Sequence, residues 1–304
     1  MLLCGFECEL YLKLELLQKT GTFKPRGVLT VMSSLSNEQL NKGVTAVSAG
    51  NHAIAVAYGA QLFGSSAKVV MPKTANSFRV KRCEELGAEV ILCQDIQEAF
   101  KTVQRIQDEE QRYFVHPFDG PLVALGTATL GVEFVQQAPT MEIAVISIGG
   151  GGLAAGAGSA IKQMLPKCRI FGVEPEGANT MYRSFQSGKP ETISKINTIA
   201  DSLGAPSTMQ YSFSVCRTFL ESIVTVSDEQ LARAMALMFE RLKLVAEPAA
   251  AAALAAVCGP LREQVEGKKV GIVICGSNID FQTFSSILAQ HGLSKSYIAL
   301  ENKT

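Results

Sequence analysis

A lysine in a glycine-flanked turn is the first feature that could do chemistry. Lys24 lies between Gly21 and Gly27 and is followed directly by Pro25. Glycine permits a tight chain path, and proline suits the first turn of a helix. A lysine beside the aromatic Phe23 at a helix N-terminus is well placed to hold an anion. Taken alone, the turn is equally compatible with an ordinary surface lysine.

A polar loop follows a strand-like segment and opens a helix-like one. Its residues are Ser48, Ala49, Gly50, Asn51 and His52. Backbone N–H groups exposed at such a junction bind carboxylate or phosphate groups. Taken alone, the loop is also explained by an asparagine that caps an ordinary helix and a histidine that packs in the core.

Four consecutive glycines form a second junction between a strand and a helix. They run from Gly149 to Gly152 and precede Leu153. Each glycine adds backbone entropy that folding must remove, so a run of four needs a compensating reason. Close approach of backbone N–H groups to a phosphate supplies that reason better than a merely tight turn does.

The same loop also fits a different class of enzyme. Gly149, Gly151 and Ala154 match the G-x-G-x-x-G/A fingerprint, and Glu174 lies twenty residues beyond Ala154 at a strand end. In dinucleotide-binding proteins an acid at this place binds the ribose. An NAD-dependent oxidoreductase is therefore the alternative from another class, although it leaves the lysine turn and the asparagine loop unexplained.

A fourth polar turn follows an apolar strand near the C-terminal end. Cys275 directly follows the apolar run 271–274, and Ser277 and Asn278 belong to the turn. The cysteine is either a core thiol, the commonest fate of this residue, or a weak hydrogen-bonding group directed at a ligand atom.

The elements that must position these residues alternate between strands and helices. The strand segments are almost continuously apolar, which is typical of strands buried on both faces of a parallel sheet. We therefore predict an α/β fold with two open, mostly parallel sheets covered by helices. The predicted strands span residues 9–15, 44–48, 67–71, 89–92, 142–148, 169–174, 223–226 and 269–275.

Two capping boxes predict helix starts, at Ser36 with Gln39 and at Ser227 with Gln230. In this pattern the serine oxygen accepts a backbone N–H and the glutamine reaches back to the cap. The alanine-rich run 249–257 predicts a buried helix, because alanine lets a helix approach a sheet closely.

The length of 304 residues suggests two domains, at roughly 100–200 residues per domain. No repeat or flexible linker divides the chain. We predict a small domain at 43–120, inserted in a large domain formed by 1–42 and 121–304.

Composition excludes several classes of partner. The 28 basic residues balance the 28 acidic ones, so the chain lacks the positive excess that nucleic acids and anionic membranes reward. No basic n-region of a signal peptide and no apolar run of the ~20 residues that span a bilayer occur. The eight cysteines are scattered and most are expected to be reduced, and the three histidines lack the spacing of a zinc site. We expect a cytoplasmic protein.

In their order and spacing, the four motifs resemble the fold-type II pyridoxal-phosphate enzymes, closest to the serine/threonine dehydratase (threonine deaminase) family. The resemblance runs from about residue 9 to residue 287. It implies a tryptophan synthase β-like fold whose large domain binds pyridoxal 5'-phosphate (PLP), and a homodimer. Lys24 matches the Schiff-base lysine, and Phe23 matches the residue packed on the cofactor ring.

The resemblance also assigns the remaining site residues. Asn51 matches the asparagine bonded to the phenolic oxygen of the cofactor, and Cys275 matches the position that faces the pyridine nitrogen. Glu247 and Pro248 resemble the Glu-Pro pair beside the site. The phosphate cradle corresponds to Gly149, Gly150, Gly151, Gly152 and Leu153, and the substrate-carboxylate loop to Ser48, Ala49, Gly50, Asn51 and His52.

Ala49 departs from the pattern of the related serine racemases, which carry a serine here as a second acid/base. An alanine exchanges no proton, so we expect weak racemisation.

The cation site of the family resembles Glu174, the Ala178 carbonyl and Thr180. Relatives that bind divalent ions have an aspartate where Thr180 stands. Fewer formal charges face the ion here, so we expect a monovalent cation such as potassium.

The resemblance implies a catabolic L-serine/L-threonine dehydratase, which eliminates water from a small amino acid and yields pyruvate or 2-oxobutyrate with ammonia. An eliminase or racemase for another β-hydroxy amino acid, such as 3-hydroxyaspartate or serine, is the alternative within the family.

Overall fold

The computed structural model describes residues 6–293, except the side chain of Ile96. Within them, nine strands form two sheets. The strands are β1 (Glu9–Leu14), β2 (Val44–Val47), β3 (Ala67–Pro72), β4 (Glu89–Cys93), β5 (Tyr113–Phe114), β6 (Ile143–Ser147), β7 (Arg169–Pro175), β8 (Leu220–Val226) and β9 (Lys269–Ile274).

Thirteen α-helices cover the sheets in the described part of the chain. They are α1 (Lys24–Ser33), α2 (Asn37–Lys42), α3 (Asn51–Leu62), α4 (Ser77–Glu85), α5 (Ile96–Glu110), α6 (Pro121–Gln137), α7 (Ser159–Met164), α8 (Thr180–Ser187), α9 (Gln210–Cys216), α10 (Asp228–Leu237), α11 (Pro248–Cys258), α12 (Arg262–Val265) and α13 (Phe281–Gln290). The π-helical segments Ala154–Gly158 and Met238–Leu242 adjoin α7 and α10.

Both sheets are parallel throughout, which confirms the predicted fold class. The large sheet has the order β1-β9-β6-β7-β8, and the small sheet has the order β4-β3-β2-β5. All eight strands predicted from apolar runs are present. The two-residue strand β5 was missed, because two residues are too few to show a periodicity.

Local sequence signals explain the helix ends. Both capping boxes form as predicted, at the starts of α2 and α10. The alanine-rich helix α11 lies against β6, β7, β8 and β9 with residues 248–257 all buried, as predicted for a run of small side chains.

Helix α1 connects the two sheets. Its Val28, Val31 and Met32 belong to the apolar core of the small sheet. On its other side α6 approaches so closely that a Cβ on Gly126 would lie 2.3 Å from the Arg26 carbonyl oxygen. We propose that 43–120 is the small domain and that α1 is the element through which the large domain holds it.

Six cysteines of the described region are free thiols, and five of them are buried; Cys4 lies outside the described residues. Among residues 6–293, none of the helices is long and apolar enough to cross a membrane. The cytoplasmic location stays a prediction.

Candidate active site

The lysine turn is held against the end of β9. Thr20 and Gly21 adopt positive φ angles of 67° and 73°, which reverse the chain before α1. The Phe23 N–H donates to the Cys275 carbonyl oxygen at 3.1 Å, and Thr22 forms a bridge with Gly276. Phe23 and Cys275, two predicted site residues that lie 252 positions apart, are thus neighbours.

Lys24 begins α1 with its amine inside the protein. Nζ donates to the Pro117 carbonyl oxygen at 2.7 Å and lies 5.2 Å from the centroid of the Phe23 ring. Burial lowers the pKa of Lys24 to about 8, although Cys275 and Glu247 act in the opposite direction. A lysine with such a pKa supplies a neutral amine near physiological pH, as a nucleophile or a general base requires.

The four-glycine loop connects β6 to a helical segment, as predicted. Gly151 has a φ of +94°, which disfavours other residues. A Cβ on Gly150 would lie 2.1 Å from the Phe118 ring, and one on Gly152 would lie 2.2 Å from the Phe118 carbonyl oxygen. The first N–H groups of a helix have no intrahelical acceptor, so this bare backbone suits a phosphate.

One cavity joins the lysine to the glycine loop. Lys24 and Phe23 lie on its wall with Gly152 and Leu153. The remaining polar and aromatic wall residues include His52, His116, Phe118 and Thr127. A buried amine that shares a cavity with a phosphate-type loop fits PLP, which carries an aldehyde and a phosphate on one ring.

Asn51 has a fixed amide orientation. Asn278 Nδ2 donates to the Thr20 carbonyl, which can only accept, so Asn278 also donates to Asn51 Oδ1 at 2.8 Å. The Asn51 Nδ2 group therefore faces Glu247 Oε1 at 2.7 Å and Ser202 at 3.3 Å. The Asn51 oxygen is thus occupied, and its two N–H groups face Glu247 and Ser202. A ligand can receive an Asn51 N–H only in place of the longer bond to Ser202.

Glu247 is a buried carboxyl group next to these residues. Glu247 is only 1% exposed, and burial raises the pKa of its carboxyl group to about 7. Within the described residues, Oε2 has no hydrogen-bond partner and lies 3.8 Å from an Arg79 nitrogen.

Cys275 is 4% exposed, and burial raises the pKa of its thiol above the ordinary value. The group therefore stays a neutral thiol. It can offer only a weak S–H bond, and no negative charge, to a ring nitrogen.

The predicted substrate loop joins β2 to α3. Ser48 Oγ accepts the Gly50 N–H at 3.2 Å, while Ala49 is partly exposed. His52 Nε2 contacts the Val115 carbonyl at 2.8 Å, so it carries the proton. Burial lowers the pKa of His52 to about 3, which keeps the ring neutral.

The predicted cation residues lie behind the glycine loop. The Glu174 carboxylate accepts the Met181 and Tyr182 N–H groups at 3.0 and 2.6 Å, and burial raises its pKa to about 8. Thr180 Oγ1 is buried without a partner among the described residues, and Ala178 is buried beside it. Met181 also packs against Gly151. A fully buried Glu174 that caps α8 is unsuited to binding a ribose.

Sequence reasoning missed three groups of this site. His116 Nδ1 accepts the N–H groups of Phe118 and Asp119 and so shapes the turn that faces Lys24. The Thr127 hydroxyl donates to the Gly152 carbonyl at 2.8 Å. Arg79 reaches the site from α4. The cluster His116–Asp119 after an apolar segment was the one local signal available for the first group.

Comparison with known proteins assigns the chain to a family. Residues 4–276 match the pyridoxal-phosphate dependent enzymes, so the chain belongs to this family. A phenylserine dehydratase of Ralstonia pickettii is 51% identical over 273 residues, which are 90% of this chain and 84% of that protein. An L-threonine ammonia-lyase of Thermotoga maritima is 41% identical over 289 residues, 95% of this chain and 71% of that protein.

A solved structure agrees. The processed form of threonine deaminase isoform 2 from Solanum lycopersicum superposes with a TM-score of 0.89 at 31% identity, covering 93% of this chain and 83% of that one. The protein is therefore a PLP-dependent ammonia-lyase. The match to PLP-dependent enzymes decides against the alternative prediction of an NAD-dependent oxidoreductase.

Proposed function

We propose that this ammonia-lyase removes water from L-serine and L-threonine and releases pyruvate or 2-oxobutyrate with ammonia. The observation that carries the proposal is the buried Lys24 amine, which shares a cavity with the glycine loop. PLP, when bound, supplies an electron sink for the carbanion formed at the substrate Cα. Lys24 holds the cofactor and then takes the Cα proton.

The surrounding residues orient the reactants. The glycine loop binds the cofactor phosphate, and the loop from Ser48 to His52 binds the substrate carboxylate with its N–H groups. Asn51 would donate to the phenolic oxygen of bound PLP through the N–H that donates to Ser202 at 3.3 Å in this structure. Cys275, a neutral thiol, leaves the pyridine nitrogen without a counter-charge. A neutral group at this place would make bound PLP a weaker electron sink, which would favour elimination of water over racemisation.

The alanine at position 49 supports elimination over racemisation. Racemisation needs a second acid on the face opposite Lys24, and a methyl group has no proton to give. The racemase alternative is therefore the weaker one for this chain.

The size of the substrate side chain defines a second candidate. The relative that is 51% identical is named for phenylserine, a β-hydroxy amino acid with an aromatic group. A 3-hydroxyaspartate side chain would need a cation, whereas the nearby Arg79 is already paired with Asp201.

We also propose a monovalent cation and a homodimer. Glu174, the Ala178 carbonyl and the unpartnered Thr180 hydroxyl supply oxygen ligands for an ion. Leu125 and Val132 lie on one face of α6 and are 61% and 37% exposed, which supports contact with a second copy.

A substrate panel tests the proposed function. The purified protein should be yellow, bleach with borohydride, and form a 2-oxo acid from L-serine, L-threonine or L-phenylserine faster than from D-serine or 3-hydroxyaspartate. Lys24→Ala should lower kcat by roughly 10²–10⁴-fold, the usual contribution of a positioned base. Normal turnover by Lys24→Ala would contradict the mechanism.

A further inference from the structure

Arg79 crosses from the small-sheet side of the molecule to the large-sheet side. It belongs to α4, yet its residue is only 5% exposed. Its guanidinium donates to both carboxylate oxygens of Asp201 and, through Nε, to the Asn278 carbonyl at 3.2 Å. Nη2 lies 3.8 Å from Glu247 Oε2. No feature of the sequence singled this arginine out.

These contacts close a ring of four residues from four separate segments. Arg79 donates to the Asn278 carbonyl, and the Asn278 side chain donates to Asn51 Oδ1. Asn51 donates to one oxygen of Glu247, and the other oxygen faces Arg79. Asn51, the residue proposed to bond the cofactor's phenolic oxygen, is thus fixed on both sides by groups that Arg79 contacts.

Charge explains why the ring needs an arginine. Glu247 is almost completely buried, and a buried carboxylate is costly unless a positive group lies near it. Arg79 is the nearest such group, and it opposes the rise that burial causes in the pKa of Glu247. An ionised Glu247 accepts the Asn51 N–H strongly, whereas a protonated one accepts it weakly. The same guanidinium forms its closer ion pair with Asp201, whose side chain is 57% accessible. Asp201 acts against Arg79 and raises the pKa of Glu247.

We propose that Arg79 is a positioning residue for the ammonia-lyase reaction, which holds Asn51 in its working orientation through Glu247 and ties α4 to the large sheet through Asp201. This inference rests on the proposed role of Asn51. Arg79 also packs on the proposed substrate loop, because a Cβ on Gly50 would lie 3.0 Å from its Nη1. Its effect on the cofactor is expected to travel through the amide of Asn51, whereas an effect on substrate binding alone would come from the contact with Gly50.

The test uses the PLP-bound enzyme and a control on the same helix. Arg79→Gln is compared with Arg82→Gln, because Arg82 is also on α4 but lies on the surface and pairs with Glu85. Loss of a hydrogen bond to a charged group predicts a fall in kcat of about ten- to a hundredfold for Arg79→Gln. The visible band of the bound cofactor should also shift, because the phenolic oxygen loses an oriented donor. Arg79→Lys should recover part of the kcat and part of the original position of the cofactor band.

Three outcomes would overturn the proposal: a cofactor band and a kcat equal to those of Arg82→Gln, a rise in KM alone with the band unchanged, or no recovery by lysine. If Arg79→Gln does not fold, Asp201→Asn takes its place, since that side chain is more exposed; a shifted band supports the proposal and an unchanged one overturns it. Failure of the proposed function would be seen separately, as an inactive wild-type enzyme, while the band could still be read.

Discussion

Lys24 owes its reactivity to its surroundings rather than to its place in the sequence. An exposed lysine has a pKa of about 10.4 and is protonated at neutral pH. Burial lowers the pKa of Lys24 to about 8, so the uncharged nucleophile is a substantial fraction at pH 7 to 8. Burial disfavours the charged form of the amine, so a larger fraction of Lys24 is in the neutral, reactive form.

The rate at which the apoprotein captures PLP should follow this pKa. We expect the rate to rise with pH and to level off above about 8, because the neutral amine is the attacking form. Stopped-flow absorbance at a series of pH values measures it, with a short lysine peptide as control. A rate that still climbs near pH 10, as for the peptide, would show that the burial of Lys24 does not govern its chemistry.

Ala49 should decide between elimination and racemisation. Ala49→Ser introduces a hydroxyl on the loop that we propose to bind the substrate, and we expect a measurable conversion of L-serine to D-serine beside a slower elimination. Chiral chromatography gives the ratio of the two products. Ala49→Gly is the matched control, because it alters the loop without adding a proton donor. Equal racemisation by both variants would show that the residue at position 49 does not determine whether the enzyme racemises its substrate.

At the scale of elements, the glycine loop depends on what packs against it. The Cβ of an alanine at position 150 would meet a side chain, the Phe118 ring, whereas at position 152 it would meet the Phe118 backbone. Side chains can move aside and backbone cannot easily do so. The two glycines therefore carry different constraints, although they look identical in the sequence.

Paired substitutions distinguish these constraints. Gly150→Ala and Gly152→Ala should each weaken PLP binding, and the added change Phe118→Ala should restore binding only for Gly150→Ala. The dissociation constant from cofactor fluorescence measures both effects. Equal rescue of the two variants would mean that the Phe118 backbone does not confine the loop.

Helix α8 provides the proposed cation site behind the loop. An ion bound by Glu174 and Thr180 stabilises the folded protein in proportion to its occupancy. We expect the Tm to rise with potassium chloride more than with the same concentration of choline chloride. Thr180→Val should reduce the difference, because it removes an uncharged ligand oxygen. An identical response of Thr180→Val and the wild type would exclude the threonine as a ligand.

At the scale of the whole molecule, the cleft between the two sheets gathers residues from distant segments. The Asn51–Glu247 hydrogen bond spans 196 positions, and the Arg79–Asp201 pair spans 122. Each contact joins the side of the small sheet to the side of the large one. The same contacts therefore build the site and hold the two halves together.

The α6 surface should determine the oligomeric state. Leu125→Asp places a charge in the exposed apolar face and should shift the protein from dimer to monomer in light scattering. Leu62→Asp is the control, since Leu62 is similarly exposed, at 59%, but lies on α3. A dimer that persists in Leu125→Asp would place the contact elsewhere.

The sequence by itself determined the features that depend on neighbours along the chain. Continuous apolar runs indicated eight strands, the capping boxes located two helix starts, and the glycine runs identified the loops that need a bare backbone. Each of these signals arises within about ten residues, where hydrogen bonding and steric limits act locally. The order of the four motifs also led to the correct family.

Only the tertiary structure decided how these pieces act together. Nothing near Arg79 marks it, because its importance comes from Asp201, which lies 122 positions away. The Pro117 carbonyl likewise matters only through Lys24, which lies 93 positions away. Burial, which sets the pKa of Lys24 and Glu247, is likewise a property of packed segments. The residues that could react were therefore visible in the sequence, whereas their charge states and their orientation were set by partners that folding alone brings into contact.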